Sequence, residues 1–492
     1  MKTIRLYDSC ADYELAVDGS VEGSSLPKNS ICYCKDAKKV CYNLKIVGTT
    51  DKTEPFNLYI NGIDKATYKS KAQQVSVKDG FFELDLTSKP YDAYRMFGGD
   101  SVGTFNTPIG DAWNVKSVIR LDGVDNLKNM NAMFQGCVSL GYVNCGGWNT
   151  SKVTDMGFMF NLCSGLKSID VSKWTTNNVT NMRLMFSQCR SVKELDVSGW
   201  GTSNVTDMFA MFQGCSGLTT IDVSNWNTRN VTTMNGMFNH CSNLTTLDVN
   251  NWNTSNVTDM LGMFNNCSGL TTLDVSNWNT SKVTNMSWMF NFCSRLTTID
   301  ISGWNTSNVT NMKRAFDLCS GLTTIDVSGW NTSKVTDMSW MFTQCRNVNK
   351  LDVSKWDVSK VTKFEAMFGE CYSLTELDLS GWDLSSCEED DVHLFTDIKG
   401  SANKRNGDLT TIKLGKGFFK AKTKKYTSAN LTTINWSRES MMESLYTNQI
   451  GRDVTDVKNL YLRPEPLSRL SEEDIAKIKS VGIILIKSTS GG

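Results

Sequence analysis

Apolar and polar positions recur along the middle of the chain with a period of 26 residues. One copy, from Leu218 to Cys241, reads LTTIDVSNWNTRNVTTMNGMFNHC. Its first part alternates through Ile-Asp-Val-Ser, which predicts a short β-strand with Asp222 facing outward. Its last part, from Met234 to Cys241, places Met, Met, Phe and Cys at i, i+3, i+4 and i+7. That spacing predicts two turns of helix with one apolar face.

One cysteine and one tryptophan mark equivalent positions in every copy. The cysteines are Cys137, Cys163, Cys189, Cys215, Cys241, Cys267, Cys293, Cys319, Cys345 and Cys371. The tryptophans are Trp148, Trp174, Trp200, Trp226, Trp252, Trp278, Trp304, Trp330, Trp356 and Trp382. A single strand and helix cannot bury their apolar faces alone, so stacked copies must share one core. We therefore predict an α/β repeat solenoid, with a short strand plus a short helix in each 26-residue turn.

The copies resemble the 26-residue leucine-rich repeats of BspA-like bacterial surface proteins. The resemblance rests on segments such as MFNNCSGLTTLDVSNWNTSKVTNM, from Met263 to Met286, and it covers about residues 108–385. It implies a right-handed leucine-rich-repeat solenoid that serves adhesion or binding without catalysis. The segment from Leu460 to Ile486 resembles the terminal caps of related repeat proteins of gut bacteria and their phages.

The flanking regions differ in composition from the repeats and divide the chain into three predicted domains. Residues 1–105 contain strand-like runs and the tight-turn dipeptides Asn61-Gly62 and Asp79-Gly80, which favour a β-rich attachment domain. Residues 106–385 form the solenoid of about ten units. Residues 386–492 hold degenerate repeats and a C-terminal cap, with strand motifs at LTTIKL (Leu409 to Leu414) and LTTINW (Leu431 to Trp436).

Charge and composition exclude several functions. The 51 basic and 51 acidic residues cancel, which argues against a nucleic-acid binder that depends on a large positive excess. The two histidines, His240 and His393, give little support for a catalytic triad or a histidine metal site. No cofactor motif is present. We expect no membrane span, because no apolar run reaches 18 residues, and no secretory signal, because charges interrupt residues 1–20.

The ladder cysteines have two interpretations, and the N-terminal cysteines raise a third possibility. Buried, reduced thiols are favoured, since a thiol packs as a small hydrophobe and an unbroken ladder suits a reducing compartment. Disulfides between neighbouring copies are the first alternative. A zinc site built from Cys10, Cys32, Cys34 and Cys41 is the second, although those residues include no C-x-x-C pair. The prediction is therefore no metal.

The position two residues after the first Met of each predicted helix varies from copy to copy. It is occupied by Phe158, Leu184, Ala210, Gly236, Gly262, Trp288, Arg314 and Trp340. Helical geometry would turn this position away from the buried face, which makes Trp288 and Trp340 exposed aromatic residues on one surface. We predict Phe158, Trp288, Arg314 and Trp340 as binding residues. The alternative is packing of these side chains against neighbouring helices.

A column of outward aspartates forms a second candidate surface. The column comprises Asp170, Asp196, Asp222, Asp248, Asp274, Asp300, Asp326, Asp352 and Asp378, and the predicted binding residues among them are Asp222, Asp248, Asp274, Asp300 and Asp326. Like charges one strand apart repel unless a bound cation or local hydrogen bonds compensate them. Local bonds to turn amides and to neighbouring Ser or Thr are favoured, because calcium sites use denser acidic motifs.

These features predict a non-enzymatic binding and structural protein whose repeats display a rigid surface for adhesion. A phage virion component is favoured, namely a head or tail fibre or a decoration protein assembled in the bacterial cytoplasm. Its expected partners are other virion or surface proteins through the N-terminal domain, and a host-surface protein or glycan through the repeats. A homo-oligomer is an alternative to a monomer. A bacterial cell-surface adhesin competes with the virion component, and an enzyme activity within residues 1–105 is a hypothesis of a different class.

Overall fold

The computed structural model describes residues 128–387 and Leu394 with their side chains, together with eight strands outside that range as backbone. The chain forms two compact units, Met1–Leu247 and Asp248–Gly492. The predicted turn at Asn61-Gly62, the LTTINW segment and the side chains of the four cysteines before residue 42 lie outside the described residues.

The first unit contains one sheet that joins N-terminal strands to the first repeats. Its strands are β1 (Cys32–Tyr33), β2 (Tyr42–Thr49), β3 (Phe56–Ile60), β4 (Lys71–Lys78), β5 (Phe81–Leu86), β6 (Ser117–Val118), β7 (Tyr142–Val143) and β8 (Ser168–Ile169). The order is β3-β4-β5-β2-β6-β7-β8, with β1 paired to β2. Strands β1 to β6 pair antiparallel, whereas β6, β7 and β8 are parallel. Backbone pairing therefore runs continuously from the N-terminal strands into the repeats.

The second unit contains a parallel sheet of three strands, β9 (Glu376–Leu379), β10 (Thr411–Leu414) and β11 (Asn459–Leu462). Strand β10 lies in the centre and aligns Thr411 with Glu376 on one side and with Asn459 on the other. It belongs to the LTTIKL segment, whose likeness to the repeat strands agrees with its pairing beside a repeat strand.

The described residues contain no helix, which corrects the predicted helix of each repeat. In residues 156–163 the chain instead makes overlapping four-residue turns. The amide of Met159 donates to the carbonyl of Met156 at 3.3 Å, and that of Cys163 donates to the carbonyl of Phe160 at 3.0 Å. These are i→i−3 bonds made by every second residue, whereas an α-helix makes an i→i−4 bond at each residue.

The alternate amides of the same segment bond to the following repeat. Phe158 donates to the carbonyl of Arg183 at 2.7 Å, and Leu162 donates to that of Ser187 at 2.8 Å. Every second amide of the segment thus closes a turn within its own repeat, and the amides between them form a parallel hydrogen-bond ladder with the following repeat. Each backbone amide is satisfied, as burial requires, but half of the partners lie in another repeat.

Two residues of each turn segment have positive φ, between 49° and 80°. The first column is Ala132, Phe158, Leu184, Ala210, Gly236, Gly262, Trp288, Arg314, Trp340 and Ala366; the second is Gly136, Leu162, Gln188, Gly214, His240, Asn266, Phe292, Leu318, Gln344 and Glu370. A right-handed helix needs negative φ throughout, so these residues end any helix within four positions. The Met, Phe and Cys side chains are nevertheless buried as the periodicity predicts.

Tryptophan, phenylalanine and cysteine side chains form stacked columns in the core of each unit. The rings of Trp200 and Trp226 are 6.3 Å apart and nearly parallel, and the indole N–H of Trp200 donates to the carbonyl of Val171 at 3.1 Å. The thiol of Cys215 donates to the carbonyl of Phe186 at 3.0 Å. Trp200 and Cys215 therefore both pack against and hydrogen-bond to an adjacent repeat.

The predicted strand is assigned in only three places of the described array, at β7, β8 and β9. Elsewhere the same segment is extended but makes few backbone bonds, such as Thr245 to Thr219 at 3.1 Å. The described residues contain no helix long and apolar enough to cross a bilayer.

Candidate binding face

The first positive-φ column, defined above from Ala132 to Ala366, contains the predicted binding residues and is here named the variable column. Phe158, Trp288, Arg314 and Trp340 are half-buried in it, whereas Leu184 and Ala210 are buried. The expectation that Trp288 and Trp340 are exposed is therefore corrected. The reason is the turn geometry, which directs side chains of the column along the ladder onto one another.

Trp288, Arg314 and Trp340 form one cluster over three successive repeats of the second unit. The guanidinium carbon of Arg314 lies 4.7 Å from the ring centroid of Trp288 and 4.4 Å from that of Trp340. The cation is therefore held between two indoles, each well inside the 6 Å range of a cation–π contact. We call these three residues the indole–guanidinium cluster.

Two further charged groups complete the cluster. Asp317, which is 2% exposed, accepts a bond from Nη1 of Arg314 at 2.5 Å. The ammonium of Lys313 lies 4.9 Å from the ring centroid of Trp340. Arg314 keeps its charge paired, and its buried Nε makes no hydrogen bond within the described residues. The arrangement fixes the rotamers of both indoles.

Small residues border the cluster at both ends. Gly262 precedes Trp288 in the variable column, and a Cβ placed on Gly262 would lie 3.9 Å from the Cβ of Trp288. Ala366 follows Trp340. Arg314 lies over one face of each indole, here called the inner face, and the preceding column residue, Gly262, has no side chain that could cover the opposite, outer face of Trp288.

Amide side chains lie beside Gly262. The Cβ of Asn265 is 3.6 Å from the position of a Cβ on Gly262, and the amide of Asn291 donates to Oδ1 of Asn265 at 2.7 Å. Asn291 is 7% exposed, and its Oδ1 has no hydrogen-bond partner within the described residues. This amide pair retains the capacity to accept another hydrogen bond.

The corresponding positions of the first unit are arranged differently. Phe158 donates its backbone amide to the ladder, but among the described residues its ring has no cation–π contact like those of Trp288 and Trp340. A cation–π contact occurs one position before the column, where the guanidinium carbon of Arg183 lies 3.8 Å from the ring centroid of Phe209. Arg183 also pairs with Asp207 at 3.6 Å. The structure therefore does not bring Phe158 together with the other predicted binding residues.

The outward aspartates make local bonds within their own turns. Oδ1 of Asp222 accepts the hydroxyl of Ser224 at 2.7 Å and its amide at 3.1 Å, and Asp326 and Ser328 repeat the pattern. These bonds, the hydroxyl first, hold the pKa of Asp222 and of Asp326 below its usual value. The predicted members Asp274 and Asp300 have the same serine partners, whereas Asp248 accepts only the amide of Asn250, at 3.3 Å.

The column cysteines of the array are free thiols and are buried. Burial raises the pKa of Cys137, Cys215, Cys293 and Cys371 to about 12. Thiols with such values are weak nucleophiles and poor metal ligands at neutral pH. The described residues include no group of three or more His, Cys, Asp or Glu side chains that could hold a metal ion.

Sequence reasoning missed Lys313, Asp317 and the positive φ of the column. One signal could have indicated the backbone: the two columns contain glycine at 136, 214, 236 and 262 and asparagine at 266. Glycine and asparagine are the residues that adopt positive φ at least cost. Phe292, in the second column, is 41% exposed and was also missed.

The chain belongs to the family described as Mycoplasma protein of unknown function, DUF285. Three overlapping matches, at residues 122–220, 211–320 and 288–408, together span more than half of the chain. No curated protein matches the sequence. Among solved structures, one titled "Crystal structure of a TDR receptor" is 15% identical, with a TM-score of 0.17. That match covers 57% of this chain and 62% of the receptor chain, so it spans about three-fifths of the receptor's length.

Proposed function

We propose that the protein is a non-enzymatic binding protein whose repeats display a surface for adhesion. The observation that carries the proposal is the contrast between positions within one repeat. The interior Trp and Cys are the same in every copy and are fully used in packing. The variable column changes from copy to copy and reaches the surface with Trp, Arg and Phe, the residue types that dominate binding energy at interfaces.

The backbone of the column allows such exchange of side chains. Positive φ recurs at this position in every copy from Ala132 to Ala366, whether the residue is Gly236, Leu184 or Trp288. A bulky residue there costs about 1–2 kcal/mol relative to the right-handed region. The repeat framework holds that conformation in each copy, so the displayed side chain can change without a change of backbone.

We further propose that these are leucine-rich repeats of the BspA-like type and that the protein works in a phage virion, as a fibre or decoration protein. Buried reduced thiols support assembly in a reducing compartment such as the bacterial cytoplasm. The sheet of the first unit supports an attachment role for the N-terminal strands, since it continues from them into the repeats. A cell-surface adhesin is the competing proposal.

Adhesion is tested with the full chain coupled to fluorescent beads that are washed over bacterial and animal cells. Retention well above that of albumin-coated beads is expected. Retention no higher than that of albumin-coated beads, on bacterial and on animal cells alike, would reject the adhesive function. Mass spectrometry of purified virions, and antibody labelling of intact bacteria, then separate the two locations. Absence of the chain from virions, with labelling of intact bacteria, would reject the phage proposal.

A further inference from the structure

We propose that the outer face of Trp288, above Gly262, binds a pyranose ring of a glycan. This inference rests on the proposed adhesive function and names the class of ligand and the residues that contact it. We call the site, formed by Trp288, Gly262, Asn265 and Asn291, the Trp288 platform.

The platform has a rigid aromatic wall. Arg314 lies 4.7 Å from the ring centroid of Trp288 on the inner side and is itself fixed by Trp340 and Asp317. The indole cannot rotate without breaking these contacts, so little rotamer freedom is lost when a ligand binds. Such preorganisation lowers the entropic cost of association.

The outer face of the indole is the face on which the sugar ring would stack. Gly262 is the neighbour of Trp288 in the variable column and places no side chain over the indole. A pyranose has C–H groups on its faces and hydroxyl groups around its edge. The C–H face of the sugar complements the electron-rich face of Trp288.

The sugar's edge requires hydrogen-bonding groups close to the aromatic wall. Asn265 lies directly beside Gly262, and its partner Asn291 has an Oδ1 without a hydrogen bond in the described residues. An apolar surface with a few fixed polar groups is the usual composition of a small-ligand site.

A protein partner is less well matched to this surface. A standard protein interface buries about 800 Å² on each side around an apolar core. Among the described residues, the exposed large hydrophobic side chains are Tyr142 and Phe292, and only Phe292 belongs to the unit that contains Trp288. The charges of Arg314 and Asp317 are paired with each other and do not await a partner's charge.

Calorimetry with the full chain tests the platform. The probes are soluble β-linked oligosaccharides of N-acetylglucosamine, glucose and galactose. The first two have equatorial substituents that leave flat C–H faces, and galactose has a C–H patch on the face opposite its axial hydroxyl. We expect at least one probe to bind with a Kd between about 10 μM and 1 mM. No binding of any of the three at about 10 mM overturns the inference.

Two variants remove the platform in different ways. Trp288→Ala removes the indole. Gly262→Arg is designed to cover the outer face of that indole, because Arg314 shows that an arginine fits this column at φ 55° and stacks on Trp288. Each is expected to weaken binding at least about tenfold. Affinity unchanged in both variants would place the sugar elsewhere and overturn the inference.

The matched control is Gly236→Arg. Gly236 has φ +62°, compared with +57° at Gly262, and its neighbour in the column within the first unit is Ala210. The substitution imposes the same strain without closing an indole, so affinity should stay within about twofold of wild type. Thermal unfolding of all variants confirms that they fold.

The bead assay separates failure of this inference from failure of the adhesive function. Cells are treated with periodate, which oxidises glycan diols, or with a protease, before the beads are added. Loss of retention after periodate supports the glycan assignment. Retention that survives periodate but is lost after protease overturns it in favour of a protein ligand, while adhesion itself stands.

Discussion

The interior columns of the repeats and the variable column differ in uniformity and in burial. Trp200 and Cys215 are at most 3% exposed and hydrogen-bond to a carbonyl of an adjacent repeat, and their equivalents are at most 5% exposed. The variable column holds Gly, Ala, Leu, Phe, Trp and Arg at one backbone position, and several of these side chains reach the surface. One backbone framework thus carries both a fixed core and an exchangeable face.

This difference indicates that the interior columns and the variable column have separate energetic roles. Replacing a core residue disturbs packing on two sides, because each repeat stacks on its neighbours. Replacing a residue of the variable column changes what the surface displays. Stability and binding should therefore respond to different substitutions.

The largest expected effect is alkaline unfolding caused by the buried thiols. Burial raises the pKa of nine cysteines, to about 12 at Cys215, whereas an unfolded thiol titrates near 8.5. The stability that depends on neutral thiols is complete below that unfolded value and is lost as pH rises toward the folded pKa. Each thiol contributes about 1.4 kcal/mol of loss per pH unit, so together they cost on the order of 10 kcal/mol per unit.

Urea unfolding in the presence of a reductant, from pH 7 to pH 10, measures this slope. Cys215→Ala should be less stable at pH 7 and should show a slope smaller by about 1.4 kcal/mol per unit above pH 9. The lysines and tyrosines are the same in both proteins, so the difference isolates the thiol. Equal slopes would show that Cys215 is not buried in the folded state.

A pair of tryptophan substitutions compares the core and the variable column directly. Trp200→Ala should destabilise the protein by about 3–5 kcal/mol, because it empties a packed column and leaves the carbonyl of Val171 without its indole donor. Trp288→Ala should cost less than about 2 kcal/mol, since the side chain is half-buried. If denaturant unfolding showed the same loss of unfolding free energy for both variants, the core column and the variable column would not differ in their contribution to stability.

Burial within the repeats could be predicted from the sequence, but the backbone of the turn segment could not. The Met-Met-Phe-Cys spacing placed Met234 and Cys241 in the core, and both are fully buried. The same spacing is shared by a helix and by overlapping turns, because both return a side chain to one face after three or four residues. The overlapping turns differ from a helix by positive φ at two positions in each repeat. A bulky residue such as Trp288 at one of these positions gives no sequence signal for positive φ.

The candidate site was predictable only in part, for a related reason. Variation between copies identified Trp288, Arg314 and Trp340 in the sequence. Their mutual contact depends on side chains stacking along a ladder, which a helix would not produce. The role of Gly262 could not be seen without that register, since its importance lies in the side chain that it lacks.

A buried hydroxyl tests how far hydrogen bonds between repeats stabilise the core. Oγ1 of Thr202 donates to the carbonyl of Asn227 at 3.1 Å and accepts its amide at 2.8 Å. Thr202→Val keeps the shape but leaves both backbone groups unpaired, so a loss of about 1–3 kcal/mol is expected in urea unfolding. Valine already occupies the equivalent position 358, which shows that the shape is accepted.

The control for this substitution is Thr206→Val in the same repeat. Thr206 is exposed and donates to the carbonyl of Thr180 at 3.2 Å, so water can replace the lost bond. Its change should stay within about 0.5 kcal/mol. A loss at Thr202 as small as that at Thr206 would mean that the hydroxyls inside the repeats contribute no more than those on the surface.

The smallest expected effect concerns the outward aspartates, which are exposed like parts of the variable column but are nearly uniform from copy to copy. The hydroxyl and amide of Ser328 hold the pKa of Asp326 below its usual value. The folded state therefore gains stability above the unfolded pKa, near 3.9, and loses it as pH falls through the lower folded value. Ser328→Ala should reduce this gain at pH 7 by about 0.2–0.5 kcal/mol, because the carboxylate is solvent-exposed, and should raise the pKa of Asp326 in a carboxyl NMR titration. Asn250→Ser is the converse test, since it supplies Asp248 with the hydroxyl that its turn lacks, and it should raise stability at pH 7 by a similar amount. If the pKa of Asp326 does not move and neither substitution changes stability, the serine hydroxyls do not compensate the column of charge, and this uniform row would need another explanation than local hydrogen bonding.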